Sequence, residues 1–262
     1  MKKLITICLS VGLMVFATSA AYAVLPSDNF NDNNSMNTLW NLYEDNHSNA
    51  WLDETNQQLE LRSTESAGDF VAVYVANGWG LSPAYNFSFK ADFHNSFTTE
   101  DVNTWATVML GIGKGSDVAT IRGNNAIIDA AWDRSDEYNP PPYSVFGYSY
   151  TVDGNESEFS FQETRYSSDG TLYVSYDAGA DELYLSHTGY GEPNASDTIS
   201  GLLKGEWGGD VITPFIGGDV ENVALDSGVA YLDNFVVDVP EPATIALLGL
   251  SALSLLRRKN RA

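Results

Sequence analysis

Three aspartates and four aromatic rings are the residues of this sequence whose type and placing could do chemistry. Asp28 and Asp233 open two matching Asp-Asn-Phe triplets, one near each end of the chain, and Asp32 follows shortly after the first. If the strands carrying the triplets lie together, the three carboxylates could offer hard oxygen ligands to one structural Ca2+. The competing reading is that each aspartate flanks a strand and faces water, because acidic turns have the same composition. Trp79 in Asn77-Gly78-Trp79-Gly80, Trp207 in Gly205-Glu206-Trp207-Gly208-Gly209, and Tyr138 and Tyr143 around Pro140-Pro141-Pro142 all stand in turn-like settings. Rings exposed there, with Asp or Asn nearby, would form a platform for the apolar C–H faces of sugars. For each ring the alternative is partial burial beneath a loop, since tryptophan is on average a highly buried residue.

Catalysis finds no foothold in a recognisable motif. His47, His94 and His187 lie far apart without ligand spacing, and neither a Gly-x-Ser-x-Gly elbow nor a His-Glu-x-x-His pattern occurs. Glu156 and Glu158 could share one strand face, but a chain this rich in acids produces such pairs by chance. The expectation is a noncatalytic protein. A site assembled from distant segments is the remaining route to an enzyme.

The elements that must position these residues read as strands. In Tyr85-Asn86-Phe87-Ser88-Phe89-Lys90-Ala91-Asp92-Phe93-His94 the odd positions are apolar or aromatic and the even ones polar, the period of a half-buried strand. Phe70–Val75 and Ala106–Ile112 read as more buried strands. Further strands are expected at Leu59–Arg62, Ala126–Trp132, Ser144–Val152, Glu158–Tyr166, Leu172–Asp177, Glu182–His187, Val211–Ile216 and Val229–Val237. Turn clusters such as Asp153-Gly154-Asn155 and Asp169-Gly170 punctuate them. No amphipathic helix and no fixed-period repeat is evident in this stretch. The fold class expected is all-β, a two-sheet antiparallel sandwich or jelly roll.

Both ends of the chain differ from this body. Lys2-Lys3, the apolar run Leu4 to Ala17 and Ala21-Tyr22-Ala23 have the order of a secretory signal peptide, with signal peptidase cleaving after Ala23. Cys8, the one cysteine, lies inside that run, so the cleaved chain would hold no disulfide and no thiolate site. At the other end Pro240-Glu241-Pro242 is followed by a weakly polar to apolar run, Ala243 to Leu256, and then by Arg257-Arg258-Lys259-Asn260-Arg261. As a helix that run would rise about 21 Å, short against a hydrocarbon core of roughly 30 Å. The prolines stop the helix upstream, and the basic tip would stay on the cytoplasmic side. An ordinary, unprocessed membrane anchor is the plainer alternative. The domains expected are 1–23, a signal peptide; 24–238, the body; and 239–262, a tail. Between 24 and 238 lie 7 of the 13 basic and 34 of the 35 acidic residues, a net charge of −27. So acidic a body repels nucleic acid and anionic membranes and favours divalent cations.

The tail, with its Pro240-Glu241-Pro242, short apolar helix and basic tip, resembles the PEP-CTERM sorting signal of exported proteins of Gram-negative bacteria. That resemblance implies transient residence in the inner membrane, processing by an exosortase near Pro240-Glu241-Pro242, and delivery to the cell surface or exopolysaccharide matrix. The opening Asp28-Asn29-Phe30 with Trp40, Trp51 and Gln58-Leu59-Glu60-Leu61, the pair Gly170 to Leu185, and the closing Ala230 to Val237 resemble the strands of concanavalin A-like (laminin-G-like) sandwiches. Retaining glycosidases of that class share a Glu-x-Asp-x-x-Glu strand, and this sequence has no Glu-x-Asp. The function expected is therefore a noncatalytic surface or matrix protein that binds extracellular polysaccharide. The alternatives are a secreted polysaccharide lyase or glycoside hydrolase with an unrecognised site, or a purely structural envelope protein.

Overall fold

The structure is a computed structural model that describes residues 27–31, 39–45, 50–64, 70–77, 80–98, 104–116, 118–134, 143–161, 168–188 and 193–238. These residues belong to one compact unit, Pro26–Asp238. The apolar runs 4–17 and 243–256 lie outside them. No helix among the described residues is long and apolar enough to cross a membrane.

The strands are β1 (Trp40–Asp45), β2 (Ala50–Thr55), β3 (Gln58–Ser63), β4 (Phe70–Ala76), β5 (Phe87–Asn95), β6 (Thr104–Lys114), β7 (Asn125–Arg134), β8 (Tyr143–Val152), β9 (Asn155–Phe161), β10 (Asp169–Asp177), β11 (Glu182–Thr188), β12 (Pro193–Ser200), β13 (Ile212–Glu221) and β14 (Ala230–Asp238). They form two antiparallel sheets, β1-β4-β13-β6-β7-β8-β9 and β12-β11-β10-β5-β14-β3-β2. This is the two-sheet sandwich the alternating pattern implies. Each sheet buries one face against the other, so every second side chain enters the core. On β5 these are Phe87, Phe89, Ala91 and Phe93; opposite them on β6 are Ala106, Val108, Leu110 and Ile112. Phe93 meets Phe146 edge-on with ring centroids 5.8 Å apart. Between β13 and β3 of the facing sheets only glycine fits: a Cβ on Gly218 would stand 2.7 Å from Leu61 Cδ2.

The two Asp-Asn-Phe triplets close the sandwich. Asp28 pairs with Phe235 as an isolated antiparallel bridge, its N–H donating to the Phe235 carbonyl at 2.8 Å. Phe30 and Phe235 are both fully buried, and Trp40 of the first sheet packs edge-on against Phe235 of the second at 5.0 Å. Phe30 and Asn234 take φ near +50°. At Asn234 the ladder between β14 and β5 shifts register, which returns Phe235 to the core after Leu232.

Three departures from the sequence pattern have local causes. β12 was not expected, because Pro193-Asn194-Ala195-Ser196-Asp197 carries turn-type residues; at the edge of its sheet, proline and polar side chains are tolerated because one side needs no ladder partner. One helix, α1 (Val118–Gly123), stands where none was expected; its six residues are too few to write an amphipathic period. β9 runs Asn155–Phe161 where Glu158–Tyr166 was expected, and residues 162–167 lie outside the described ones.

Candidate functional site

The outer face of the first sheet is far from an ordinary solvated surface. Register aligns Tyr43, Val73, Gly217, Met109, Asp129 and Gly147 across β1, β4, β13, β6, β7 and β8. The next line holds Phe215, Gly111 and Ile127. On this face Phe215 and Met109 are only 3 % and 6 % exposed, clustered with Ile121 of α1 and flanked by half-buried Tyr43 and Ile127. Glycines make the close packing possible. A Cβ on Gly111 would stand 2.4 Å from Phe215 Cζ, and one on Gly113 would stand 2.5 Å from Ile121 Cγ2. The sheet thus carries an apolar floor on the side away from the core.

Carboxylates interrupt this floor singly. Asp129 accepts a hydrogen bond from the Gly147 amide at 3.1 Å, and a Cβ at Gly147 would press on both its oxygens at 2.7 Å. Its neighbours on the same face of β7 are Ile127 and Ala131, so the strand supplies no second carboxylate beside it. Asp219 on β13, opposite Thr107, is half-buried. Half-buried Trp105 shares a line with Glu221, Asp133 and Tyr143. Phe215, Met109 and Ile121 are themselves closed off from solvent, so what this face can offer a ligand with C–H faces and hydroxyls is the half-buried set around them, Tyr43, Trp105, Ile127, Asp129 and Asp219.

The residues singled out in the sequence fare differently. Tyr143 begins β8 on the line just described. Trp79, Tyr138 and Asp32 lie outside the described residues. Trp207 is a correction: it is fully buried, so its ring is no exposed platform. The glycines around it permit a tight fold-back. The chain makes one π-helical turn, Leu202–Glu206, with Trp207 N–H donating to the Leu202 carbonyl at 2.8 Å, and Gly208 and Gly209 take positive φ. Sequence reasoning read that glycine cluster as a sign of exposure, when it also serves to bury the residue between.

Asp28 and Asp233 do come from adjacent strands, but their carboxylates are engaged locally. Asp28 Oδ1 accepts from the Phe30 amide at 2.9 Å and Oδ2 from the Trp40 indole N–H at 2.8 Å. Asp233 Oδ1 accepts from the Asn234 amide at 2.6 Å. Burial raises the Asp233 pKa; the Asn234 amide works against the rise, and the charge of Asp92 adds to it. Among the described residues no three His, Asp or Glu side chains converge on one point, so Asp28 and Asp233 do not by themselves make a calcium cradle.

Phe215, Met109 and Asp129 were missed in the sequence. Phe215 follows Pro214 in a run that reads as buried core, and only pairing with glycine-bearing β6 turns it outward. The one available signal was the glycine alternation Gly111-Ile112-Gly113, which leaves a gap on one face of a strand.

Residues 238–261 match the PEP-CTERM protein-sorting motif. No curated protein matches the chain in sequence. Among solved structures, the body is similar to the CBM2 module of the evolved Dit of Lactobacillus casei BL23 phage J-1, at 11 % identity and a TM-score of 0.55, covering 82 % of this chain and 95 % of that one. It is also similar to a β-1,3-glucanase from Mycobacterium marinum, at 13 % identity and a TM-score of 0.53, covering 83 % of this chain and 99 % of that one. At such identities the likeness is one of fold. The chain therefore joins a match to the PEP-CTERM protein-sorting motif at residues 238–261 to a body folded as a two-sheet antiparallel β-sandwich.

Proposed function

We propose that this is an exported, noncatalytic carbohydrate-binding protein, sorted by an exosortase through Pro240-Glu241-Pro242 to the cell surface or exopolysaccharide matrix, with the outer face of the first sheet as its binding surface. The observation that carries the reading is the half-buried set on that face, the rings of Tyr43 and Trp105 and the side chain of Ile127 with the carboxylates of Asp129 and Asp219 among them, a combination that suits sugars. Trp105 supplies a ring at one end, and Asp129 and Asp219 would accept hydrogen bonds from sugar hydroxyls. Trp79 and Tyr138, with Tyr143 at the start of β8, are the further ring positions of this reading. The fold shared with a β-1,3-glucanase supports a second reading, hydrolysis or lysis of polysaccharide.

One experiment separates the two. The exported protein is screened on a glycan array and then incubated with each glycan it retains. Binding without product, weakened about tenfold (about 1.4 kcal/mol) by Trp105→Ala or Asp129→Asn in variants with an unchanged circular dichroism spectrum, is the expected result. New reducing or unsaturated ends would establish the second reading. Retention of no glycan, or affinity untouched by both substitutions, would overturn the site.

A further inference from the structure

The hairpin between β8 and β9 presents the sequence Asp153-Gly154-Asn155-Glu156-Ser157. Val152 and Asn155 are register partners, so the loop is Asp153 and Gly154 alone, at φ 48° and 79°. Two positive φ values in succession make the tight hairpin turn that Asp-Gly favours. The turn is held from behind: the Gly154 N–H donates to the Gly123 carbonyl of α1 at 2.9 Å, and the Asp153 N–H to Asn124 Oδ1 at 3.0 Å. Asp153, Gly154 and Asn155 are all exposed. Asn155 Nδ2 donates to the Val152 carbonyl over 3.4 Å. That is longer than the usual range of about 2.7–3.2 Å, and the bond costs little to give up.

Asn155-Glu156-Ser157 is an Asn-x-Ser triplet, the pattern of an N-glycosylation acceptor in an exported chain. The same pattern begins at Asn33, Asn46, Asn86 and Asn194, and three residues of sequence do not choose among them. Structure does. Asn86 Oδ1 accepts from the Ala178 amide at 2.9 Å, and Ser88 lies on β5 paired on one side with Ser175 and on the other with Asp238. That triplet is bound into its sheet at both ends. Asn194 lies within β12, and Asn33 and Asn46 lie outside the described residues. At Asn155 the amide stands at a turn tip, and β9 is the last strand of its sheet. The triplet therefore runs out along a backbone with one open flank, where a transferase could take hold of it without opening the sandwich. An edge strand is also liable to pair with other chains, and a bulky, hydrophilic group at its first residue would obstruct such pairing.

We propose that Asn155 is an acceptor for N-linked glycosylation of the exported protein, by transfer of an oligosaccharide from a polyprenyl diphosphate carrier. Asn155 Nδ2 forms the new bond to the anomeric carbon of the first sugar. The bond from that carbon to the diphosphate oxygen breaks, its electron pair leaves with the diphosphate, and the amide gives up one proton. The inference takes from the proposed function only that the body is exported; it does not depend on the first sheet binding a glycan.

Trypsin would release residues 135–165, a peptide in which Asn155 heads the one Asn-x-Ser/Thr triplet. Prepared from the exported protein, this peptide is expected to weigh more than its bare sequence by a whole number of sugar residues. The excess should vanish in Asn155→Gln and in Ser157→Ala, both with a native circular dichroism spectrum. Ser157→Thr, which keeps the hydroxyl, should retain it, and Asn86→Gln should leave it unchanged. A bare 135–165 peptide from chains cleaved after Ala23 would overturn the proposal. So would an excess that survives Asn155→Gln, since the sugar would then sit on another residue. Chains still carrying residues 1–23 would refute export itself and this inference with it, an outcome the N-terminal peptide reads separately.

Discussion

His187 alternates inward with Leu183 and Leu185 on β11, is 1 % exposed, and lies flat on Phe146 with ring centroids 3.5 Å apart. Burial pushes its pKa down from 6.5 to about 4, because a charged imidazole is poorly solvated there. As pH falls, the unfolded chain takes up this proton first. Stability is therefore complete above pH 6.5 and erodes between 6.5 and about 4, by about 3 kcal/mol at about 1.4 kcal/mol per unit. Glu60 adds a second, more acidic window. Burial alone would raise its pKa, but hydrogen bonds from Asn56, Gln58 and Ser227 and the charge of Arg62 together hold it below 4.5. Its contribution is present above the ordinary carboxylate value and is lost as pH drops through the lowered one. Urea midpoints measured from pH 8 to pH 4 should fall for the native chain, and His187→Leu should flatten the part of the curve above about pH 5. Parallel curves would show that the imidazole does not set the acid sensitivity. The inward parity of position 187 was legible in Glu182–His187; the ring it would lie on was not, since Phe146 comes from the opposite sheet.

At the scale of elements, strand pattern was more legible than loop burial. The alternation of β5 placed each of its side chains on the correct face, because a period of two has only two answers. Trp207 was misread because exposure of a turn residue depends on where the turn folds back, which is a tertiary matter. The π-helical turn Leu202–Glu206 buries Leu202, Leu203 and Trp207 together. Trp207→Ala should cost about 3–5 kcal/mol of stability, the usual penalty for emptying a large aromatic site, and should lower the melting temperature without altering glycan affinity at the outer face of the first sheet. Loss of binding at an unchanged melting temperature would restore the ring to a surface role. The outward core of the first sheet was equally hidden: Met109 and Phe215 are hydrophobic residues in buried-looking strands, and only the register of β6 against β13 shows which way they face.

For the whole molecule, the sorting motif and the sandwich make one expectation together. The motif begins where β14 ends: Asp238 is the last residue of the strand, and residues 238–261 match the motif. The polypeptide mass of the exported protein should correspond to loss of residues 1–23 and of the segment beyond Pro240-Glu241-Pro242; recovery with the apolar tail attached would refute processing at that motif. The bridge between Asp28 and Phe235 has a mechanical implication. β14 is paired on one side with β5 and on the other with β3, and the first described residues of the body are fastened to it as well. A tug on the C-terminal end would run along β14, loading its ladders in shear so that many hydrogen bonds resist at once instead of unzipping singly. Resistance to such pulling is governed by the rate of unfolding. A body held this way would yield only slowly to a steady load on that end.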